Sequence, residues 1–134
     1  MTTLPVLAPT PNPETAEFWA ATGHGRLLLK RCAACGVVIW YPRAVCPGCH
    51  ATATEWFDAS GRGHVYSFTV SRRGEGAYRD AAPYVLAYVE LEEGPRVLTN
   101  IVDCDIDAVA IGQPVQAVFV DTGQDNAIVR FRPV

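Results

Sequence analysis

The sequence predicts a mainly β fold in which an N-terminal helix and a small cysteine-bearing module precede a five-stranded barrel. Four of the five cysteines form two Cys-x-x-Cys pairs in the first half of the chain. Five runs rich in Val, Ile, Tyr, Phe and Thr follow them, and Gly, Pro, Asp and Asn occupy the gaps. Helix signals are confined to one stretch near the start and one short piece within the second half.

The first 25 residues are expected to form an arm and a helix. Residues 1–13 contain four prolines and little charge, which favours an extended arm. Asn12, Pro13 and Glu14 then have the signals of a helix start: a capping side chain, a proline for the first turn and an acid beside the positive end of the dipole. The helix would contain Phe18 and Trp19 and end near Gly23. Its apolar face is narrow, so it needs another surface to lie against.

Residues 26–56 predict a zinc ribbon. A strand leads into the first Cys-x-x-Cys turn, a second strand spans Val37–Tyr41, and the second turn follows ten residues after the first. Two such turns facing each other offer four thiolates in a tetrahedral set, which suits zinc. Four protein ligands leave no position for water or substrate, so the metal would be structural. Trp40, Tyr41 and Trp56 are expected to pack against this ribbon. The candidate ligands are Cys32, Cys35, Cys46 and Cys49.

Other uses of these cysteines remain open. Two reduced pairs packed as small apolar side chains would not explain why both turns fall in exposed loops. A redox dithiol is not favoured, because neither pair lies in a βαβ pattern. Iron is a further alternative, since both turns resemble those of rubredoxins. However, His50 stands where that family has glycine, and the linker is shorter.

Residues 57–134 predict an OB-type barrel. Asp105 to Gly112 can hold a single helical turn between the third and fourth strands, and five strands with this insertion follow the OB order. The predicted strands are His64–Arg72, Tyr84–Leu91, Val97–Asp103, Val115–Val120 and Ala127–Phe131.

The barrel strands carry more apolar residues than one core requires. The run from Tyr84 to Val89 is apolar on both faces, whereas a small barrel buries one face of each strand. The surplus indicates a partner surface. Tyr66, Phe68 and Val70 alternate along the first strand, as base-stacking aromatics do in nucleic-acid binders. Core packing or an interface is favoured instead, because the chain has one lysine and a net charge of −3.

A long loop from Gly74 to Pro83 is the other candidate contact site. Arg72 and Arg73, which end the strand before the loop, and Arg79 within it are suited to the phosphates of coenzyme A or to acids on a partner, and the loop tyrosine is typical of interface hot spots. A solvated hairpin loop is the alternative. The candidate contact residues, with those of the helix, are Phe18, Trp19, Arg72, Arg73, Tyr78 and Arg79.

No catalytic set can be identified. The three histidines are isolated from one another in the sequence. Cys104 lies between Asp103 and Asp105, whose carboxylates would raise its pKa, so a small buried side chain is favoured over a nucleophile. The start of the chain has no signal-peptide pattern, and no apolar run approaches the roughly 18 residues of a membrane span. A cytoplasmic protein with reduced thiols and without a nucleic-acid or membrane partner is therefore expected.

These motifs together resemble one family. The two turns CAACG and CPGCH, the junction SGRGHVYSFTV, and the runs YVLAYVELEEG and IGQPVQAVF occur in the order seen in acyl-CoA-associated proteins with a rubredoxin-like zinc ribbon and an OB fold, long catalogued as a domain of unknown function. The resemblance covers nearly all of the chain after Pro13.

The resemblance implies a non-catalytic subunit in a hetero-oligomer. Members of this family accompany thiolase-like enzymes and lipid-transfer-protein-type aldolases, or are joined to hydratases of the hot-dog fold. The barrel would then help to form the acyl-CoA site of a C–C bond-cleaving enzyme, with steroid side-chain degradation as one case. Three alternatives remain: a single-stranded nucleic-acid binder, an iron electron carrier and an independent acyl-CoA enzyme.

Overall fold

The structure, a computed structural model, describes residues 4–134 and contains a small antiparallel sheet and a closed barrel. The first three residues of the predicted arm lie outside the described residues. Short 3-10 turns occupy Gly76–Tyr78 and Ile106–Ala108. The helix and strands are α1 (Ala16–Thr22), β1 (Leu28–Cys32), β2 (Val38–Ile39), β3 (Thr54–Asp58), β4 (Arg62–Ser71), β5 (Tyr84–Leu91), β6 (Arg96–Ile101), β7 (Pro114–Asp121) and β8 (Ala127–Pro133).

Asn12 caps the turn that leads into the helix, whereas the N-cap of the helix itself is Thr15 and not Asn12 as the sequence predicts. The Thr15 N–H donates to Asn12 Oδ1 at 3.0 Å, and the Asn12 N–H donates to Thr15 Oγ1 at 3.1 Å. This reciprocal pair, together with the Thr15 N–H bond to the Asn12 carbonyl oxygen, fixes the turn from which the helix begins. Residues 13–15 form a turn, so the regular helix begins at Ala16 and ends at Thr22. No helix within residues 4–134 is long and apolar enough to cross a bilayer.

The cysteine-bearing module is a three-stranded sheet in the order β2-β1-β3. Lys30, in the central strand, pairs with Ile39 on one side and Trp56 on the other. The second strand is shorter than the predicted Val37–Tyr41, because the chain leaves the sheet after Ile39. β3 crosses the predicted boundary between residues 56 and 57. The division into 1–25, 26–56 and 57–134 stays a prediction.

The barrel has the strand order β4-β5-β6-β8-β7 and closes through pairing of β7 with β4. Its single parallel contact joins β6 to β8 at Ile101 and Phe131, and the other pairs are antiparallel. The short turn Ile106–Ala108 lies between the third and fourth barrel strands. The predicted mainly β fold is confirmed, and each barrel strand begins and ends within two residues of its predicted bounds.

A β-bulge places Tyr66 and Phe68 on opposite faces of β4, whereas the alternation in the sequence predicts the same face for both. Val65 pairs with Val89 and Ser67 with Tyr88, so one extra residue lies between them. Beyond the bulge, Phe68 packs against the core, whereas Tyr66 is 43% exposed. Tyr66 and Phe68 therefore lie on opposite faces, because an inserted residue reverses the alternation that the sequence shows.

One hydrophobic core connects the helix, the ribbon and the barrel. It contains Phe18 from α1, Leu29 from β1 and Phe131 from β8, each no more than 2% exposed. The ribbon adds a second, very small cluster made of Cys32, Ile39 and Cys46. The metal-binding candidates thus provide two of the three buried residues in that cluster. Trp40 and Trp56 pack against the larger core, in agreement with their expected position at the junction.

Candidate functional site

The four clustered cysteines have the spacing of a tetrahedral thiolate site. The Sγ atoms of Cys32 and Cys49 lie 3.6 Å apart, those of Cys35 and Cys46 lie 3.7 Å apart, and all four fall within 4.8 Å of one another. Zinc–sulfur bonds of about 2.3 Å place tetrahedral sulfurs about 3.8 Å apart, so the two closest sulfur pairs have the separation of a zinc site.

The two turns hold their cysteines in the same way. The Cys35 N–H points at Cys32 Sγ at 3.4 Å, and the Gly48 N–H points at Cys46 Sγ at 3.3 Å. Gly36 and His50 follow the second cysteine of each turn, with left-handed φ values of 80° and 65°. Glycine adopts this conformation without strain, whereas histidine adopts it at a cost. His50 thus repeats the backbone shape of Gly36, which explains why the second turn works without glycine.

The four thiols of the cluster have unequal pKa values: the pKa is lowered at the first cysteine of each turn and raised at the second. The Cys35 N–H is the main cause that lowers the pKa of Cys32 to about 7, and the Cys49 N–H likewise lowers the pKa of Cys46. At Cys35 the Val37 N–H lowers the pKa, but desolvation of the sulfur by the surrounding cluster and the neighbouring thiols outweigh it and raise the pKa to about 11. A bound cation would favour the thiolate form of all four sulfurs, because metal ligation deprotonates a thiol.

An aromatic cluster joins the helix to the ribbon. The ring of Phe18 lies 5.0 Å from that of Trp19, 5.5 Å from Trp40 and 5.8 Å from Tyr41. Trp19 Nε1 donates to Tyr41 Oη at 3.0 Å. Phe18 is 2% exposed, so of the two surfaces expected for it, the chain's own core and a partner, it packs on the core. Trp19 is half-buried and lines a 350 Å³ groove beside Leu98.

The outer face of the barrel carries exposed apolar side chains from adjacent strands. Tyr88 pairs directly with Leu98, and Ser67, the neighbour of Tyr66, pairs with Tyr88. The Arg96 guanidinium lies 3.8 Å from the centre of the Tyr66 ring. We call this surface the outer barrel patch; it consists of Tyr66 (43% exposed), Leu86 (38%), Tyr88 (45%) and Leu98 (57%). The sequence indicated the surplus on β5 but not the contribution of Leu98.

The long loop brings its three arginines to one depression. Arg72, Arg73 and Arg79 are exposed and line a 620 Å³ hollow together with Gly74 and other loop residues. A Cβ at Gly74 would overlap the carbonyl oxygen of Tyr78, so the fold of the loop requires glycine there.

The six predicted contact residues do not form one site. Tyr78 is half-buried, and its ring lies 5.3 Å from that of Tyr84 on the barrel. Trp19 lines the groove beside Leu98, whereas the arginines line the loop depression. The structure thus divides the predicted set between two surfaces.

The remaining titratable residues form no second cluster of this kind. Within residues 4–134, the four cysteines are the one group of His, Cys, Asp and Glu side chains close enough to hold a metal ion. Burial, Asp105 and Asp103 raise the pKa of Cys104, as the sequence indicated. His24, His50 and His64 are all exposed. Arg130, by contrast, is 5% exposed, and nothing in the sequence marked it as special.

Comparison with known families gives two adjoining matches. Residues 19–55 match the rubredoxin-like zinc ribbon domain of ChsH2, and residues 56–120 match the C-terminal OB-fold domain of ChsH2. The chain belongs to the ChsH2 family. The resemblance drawn from the cysteine turns and the barrel runs is therefore confirmed.

Relatives of this ChsH2-family chain include both stand-alone and larger proteins. A DUF35 domain-containing scaffold protein of Methanothermobacter thermautotrophicus is 40% identical over 128 residues, which cover 90% of this chain and 96% of the relative. The 3-oxo-4,17-pregnadiene-20-carboxyl-CoA hydratase alpha subunit of Mycobacterium tuberculosis is 32% identical over 122 residues. That match covers 87% of this chain but 37% of the relative, so the hydratase subunit is much longer.

A solved structure matches nearly the entire ChsH2-family fold. It is the Ltp2-ChsH2(DUF35) aldolase, with a TM-score of 0.83 and 34% sequence identity. The match covers 94% of this chain and 98% of the solved chain. The ribbon, the barrel and their arrangement are thus shared with a chain found in an aldolase.

Proposed function

We propose that this chain is a non-catalytic accessory subunit that assembles with a thiolase-superfamily enzyme acting on acyl-CoA thioesters. The supporting observation is the match over almost the full length of both chains to a component of the Ltp2-ChsH2(DUF35) aldolase. A match confined to the ribbon or the barrel would support only a shared module. The reaction of the partner would be C–C bond cleavage, by a thiolase or a retro-aldol route.

We assign one structural zinc ion to Cys32, Cys35, Cys46 and Cys49. Support comes from the sulfur spacing, which fits a tetrahedral site. Four thiolates complete the coordination of the ion, so it has no position for a substrate. When bound, zinc would supply the folding free energy that a cluster of three buried side chains cannot provide.

The outer barrel patch is the surface that we assign to the enzyme partner. Single exposed apolar residues are ordinary, but a contiguous group is typical of an interaction site. Tyr88 and Leu98 lie opposite each other on paired strands, and the groove beside Leu98 extends the patch to Trp19. This continuity links Trp19, a predicted contact residue, to the same docking face.

The loop arginines would contact the phosphates of an acyl-CoA held by the complex. Three guanidinium groups around one depression suit phosphate, because each offers several N–H donors and a permanent positive charge. The relative in Mycobacterium tuberculosis is named for a steroid-derived acyl-CoA, which supports steroid side-chain degradation as one setting.

The chain alone would be inactive. The three histidines are exposed and distant in sequence, and the thiol of Cys104 has a raised pKa, which lowers its reactivity. The exposed histidines and Cys104 therefore do not supply the paired nucleophile and base that thioester chemistry requires.

Co-expression with the product of the adjacent reading frame tests this assignment. We expect the two chains to elute together, with one zinc per copy of this chain, and C–C bond cleavage of an acyl-CoA to require both. Robust thioester turnover by this chain alone would contradict the accessory role. A shift of single-stranded oligonucleotides at moderate salt would favour the nucleic-acid alternative, and a red, iron-containing preparation would favour electron transfer.

Two substrates, an acyl-CoA and the matching acyl-pantetheine, test whether the loop arginines bind phosphate within that complex. Replacing Arg72, Arg73 and Arg79 together by Gln should raise the KM for the acyl-CoA and leave kcat nearly unchanged, because phosphate contacts bind ground state and transition state alike. The matching acyl-pantetheine lacks the nucleotide phosphates, so its KM should not change. Equal effects on both substrates would show that the arginines act on the fold or the assembly instead.

A further inference from the structure

We propose that a cavity beneath the N-terminal arm binds the carboxylate of a small aliphatic acid, with Arg130 as its charge partner. The cavity has a volume of 340 Å³, within the range of about 300–1,000 Å³ that is usual for small-molecule sites. The arm contributes Leu4 and Val6 to its wall, and the barrel contributes Ile101, Val118 and Val120. An apolar wall of this kind suits a hydrocarbon chain.

Arg130 is the buried cation in this wall. It lies on β8, pairs with Val118 of β7 and is 5% exposed. Its Nη2 donates to the carbonyl oxygen of Pro5 at 2.6 Å, so the arm covers it. Its Nε is buried and has no hydrogen-bond partner among the described residues. The guanidinium therefore retains a donor that the chain does not use.

No carboxylate within residues 4–134 forms an ion pair with this guanidinium. The ion pairs within residues 4–134 involve Arg26, Arg62 and Arg96. Asp103 is the one acidic residue on the cavity wall; it is exposed and forms no ion pair with Arg130. Residues 1–3 are Met, Thr and Thr, which carry no acid. Burial of an unpaired charge is costly, so such a residue is typical of a site that receives its counter-ion from a ligand.

The cavity and the guanidinium together define the ligand. A carboxylate forms charge-assisted hydrogen bonds with an arginine, and burial strengthens them. The apolar wall next to it favours an alkyl chain over a compact inorganic anion. The occupant is therefore an unbranched aliphatic monocarboxylate. This site lies in the chain itself, so it does not depend on the proposed enzyme partner.

Calorimetric titration of the purified full chain with decanoate tests the proposal. Decanoate should bind, whereas decanol, which has the same chain length without the charge, should bind at least about tenfold more weakly. Acetate, which lacks the chain, should not bind measurably. Arg130→Gln should weaken decanoate binding at least about tenfold. Arg132→Gln is the matched control, since Arg132 is exposed two residues along the same strand, and it should bind decanoate as the wild type does.

A second variant decides the matter if Arg130→Gln fails to fold. Val118→Phe fills the cavity and keeps Arg130, so it should abolish decanoate binding. Three results would overturn the proposal: no binding of decanoate to the wild type, equal binding of decanol, or undiminished binding to a folded Arg130→Gln or Val118→Phe.

Discussion

Each cysteine turn contributes one buried and one exposed sulfur-bearing residue. Cys32 and Cys46 have no exposed surface, whereas Cys35 and Cys49 are exposed. The buried pair forms the interior of the ribbon with Ile39, so these residues are at once its core and part of its metal-binding candidate. A single substitution there removes packing and a ligand together.

Cys46→Ser is expected to unfold the ribbon. Loss of one of four thiolates should prevent stable zinc binding, and structural zinc contributes an apparent free energy of about 10–16 kcal/mol in small modules. That figure is as large as the total stability of a domain, about 5–15 kcal/mol. Metal analysis should find well under one zinc per chain, and the thermal transition should broaden or disappear.

Cys104→Ser is the control for this prediction. Cys104 lies outside the cysteine cluster, so the variant should keep one zinc per chain and nearly the wild-type melting temperature. Retention of zinc and of the wild-type transition by Cys46→Ser would remove the case for a structural metal.

The sequence predicts the cysteine cluster but not the environment of Arg130. Two Cys-x-x-Cys turns are local patterns, so their spacing alone specifies a shared site. The burial of Arg130 depends instead on its contact with Pro5, which is 125 positions away in the sequence. Arginine is a residue type expected to face solvent, and a contact so distant in the sequence leaves no local signal of its burial.

At the scale of elements, α1 is stable because of what it contacts. Seven residues are too few for a helix to persist by itself. Phe18 anchors it to the ribbon, against the rings of Trp40 and Tyr41. A second link joins it to the barrel, since the Ala127 N–H donates to Thr22 Oγ1 at 3.0 Å. The helix therefore fastens the ribbon and the barrel together.

Phe18→Ala should lower the free energy of unfolding by about 3–5 kcal/mol, the usual cost of removing a buried phenylalanine. Glu17→Ala is the neighbouring control; Glu17 is exposed and should change stability by less than about 0.5 kcal/mol. Urea unfolding in saturating zinc, followed by tryptophan fluorescence, measures both. Because one core connects helix, ribbon and barrel, a single transition is expected. Separate transitions for ribbon and barrel would contradict that shared core.

The sequence predicts where the barrel strands begin and end better than it predicts which side chains face the core. Turn residues and β-branched runs mark where each barrel strand begins and ends, and these marks are local. The face of Tyr66 depends on a bulge that sequence alternation does not reveal, because Tyr66, Phe68 and Val70 have the same spacing with or without it. The shortness of β2 likewise follows from the packing of Trp40 and Tyr41 on Phe18.

Across the whole molecule, the outer surface of the barrel is covered unevenly. The N-terminal arm lies over the region of Arg130, and the helix and ribbon lie beside β6 and β8. The outer barrel patch has no such cover within the described chain, although it lies on three neighbouring antiparallel strands, β4, β5 and β6. A rigid, apolar and preformed surface of this kind suits docking, because little entropy is lost when a partner binds it.

Leu98→Asp should therefore weaken assembly with the enzyme partner by at least about 30-fold, the effect of losing an interface hot spot of about 2 kcal/mol. Leu98 is 57% exposed, so the isolated variant should melt near the wild-type temperature. Ile111→Asp makes the same chemical change at a residue that is 72% exposed and outside the patch, and it should leave assembly intact. Titration calorimetry with the co-expressed partner measures the dissociation constants. If Ile111→Asp weakened assembly while Leu98→Asp did not, the docking face would lie near the loop of Ile111, and the patch would need another explanation.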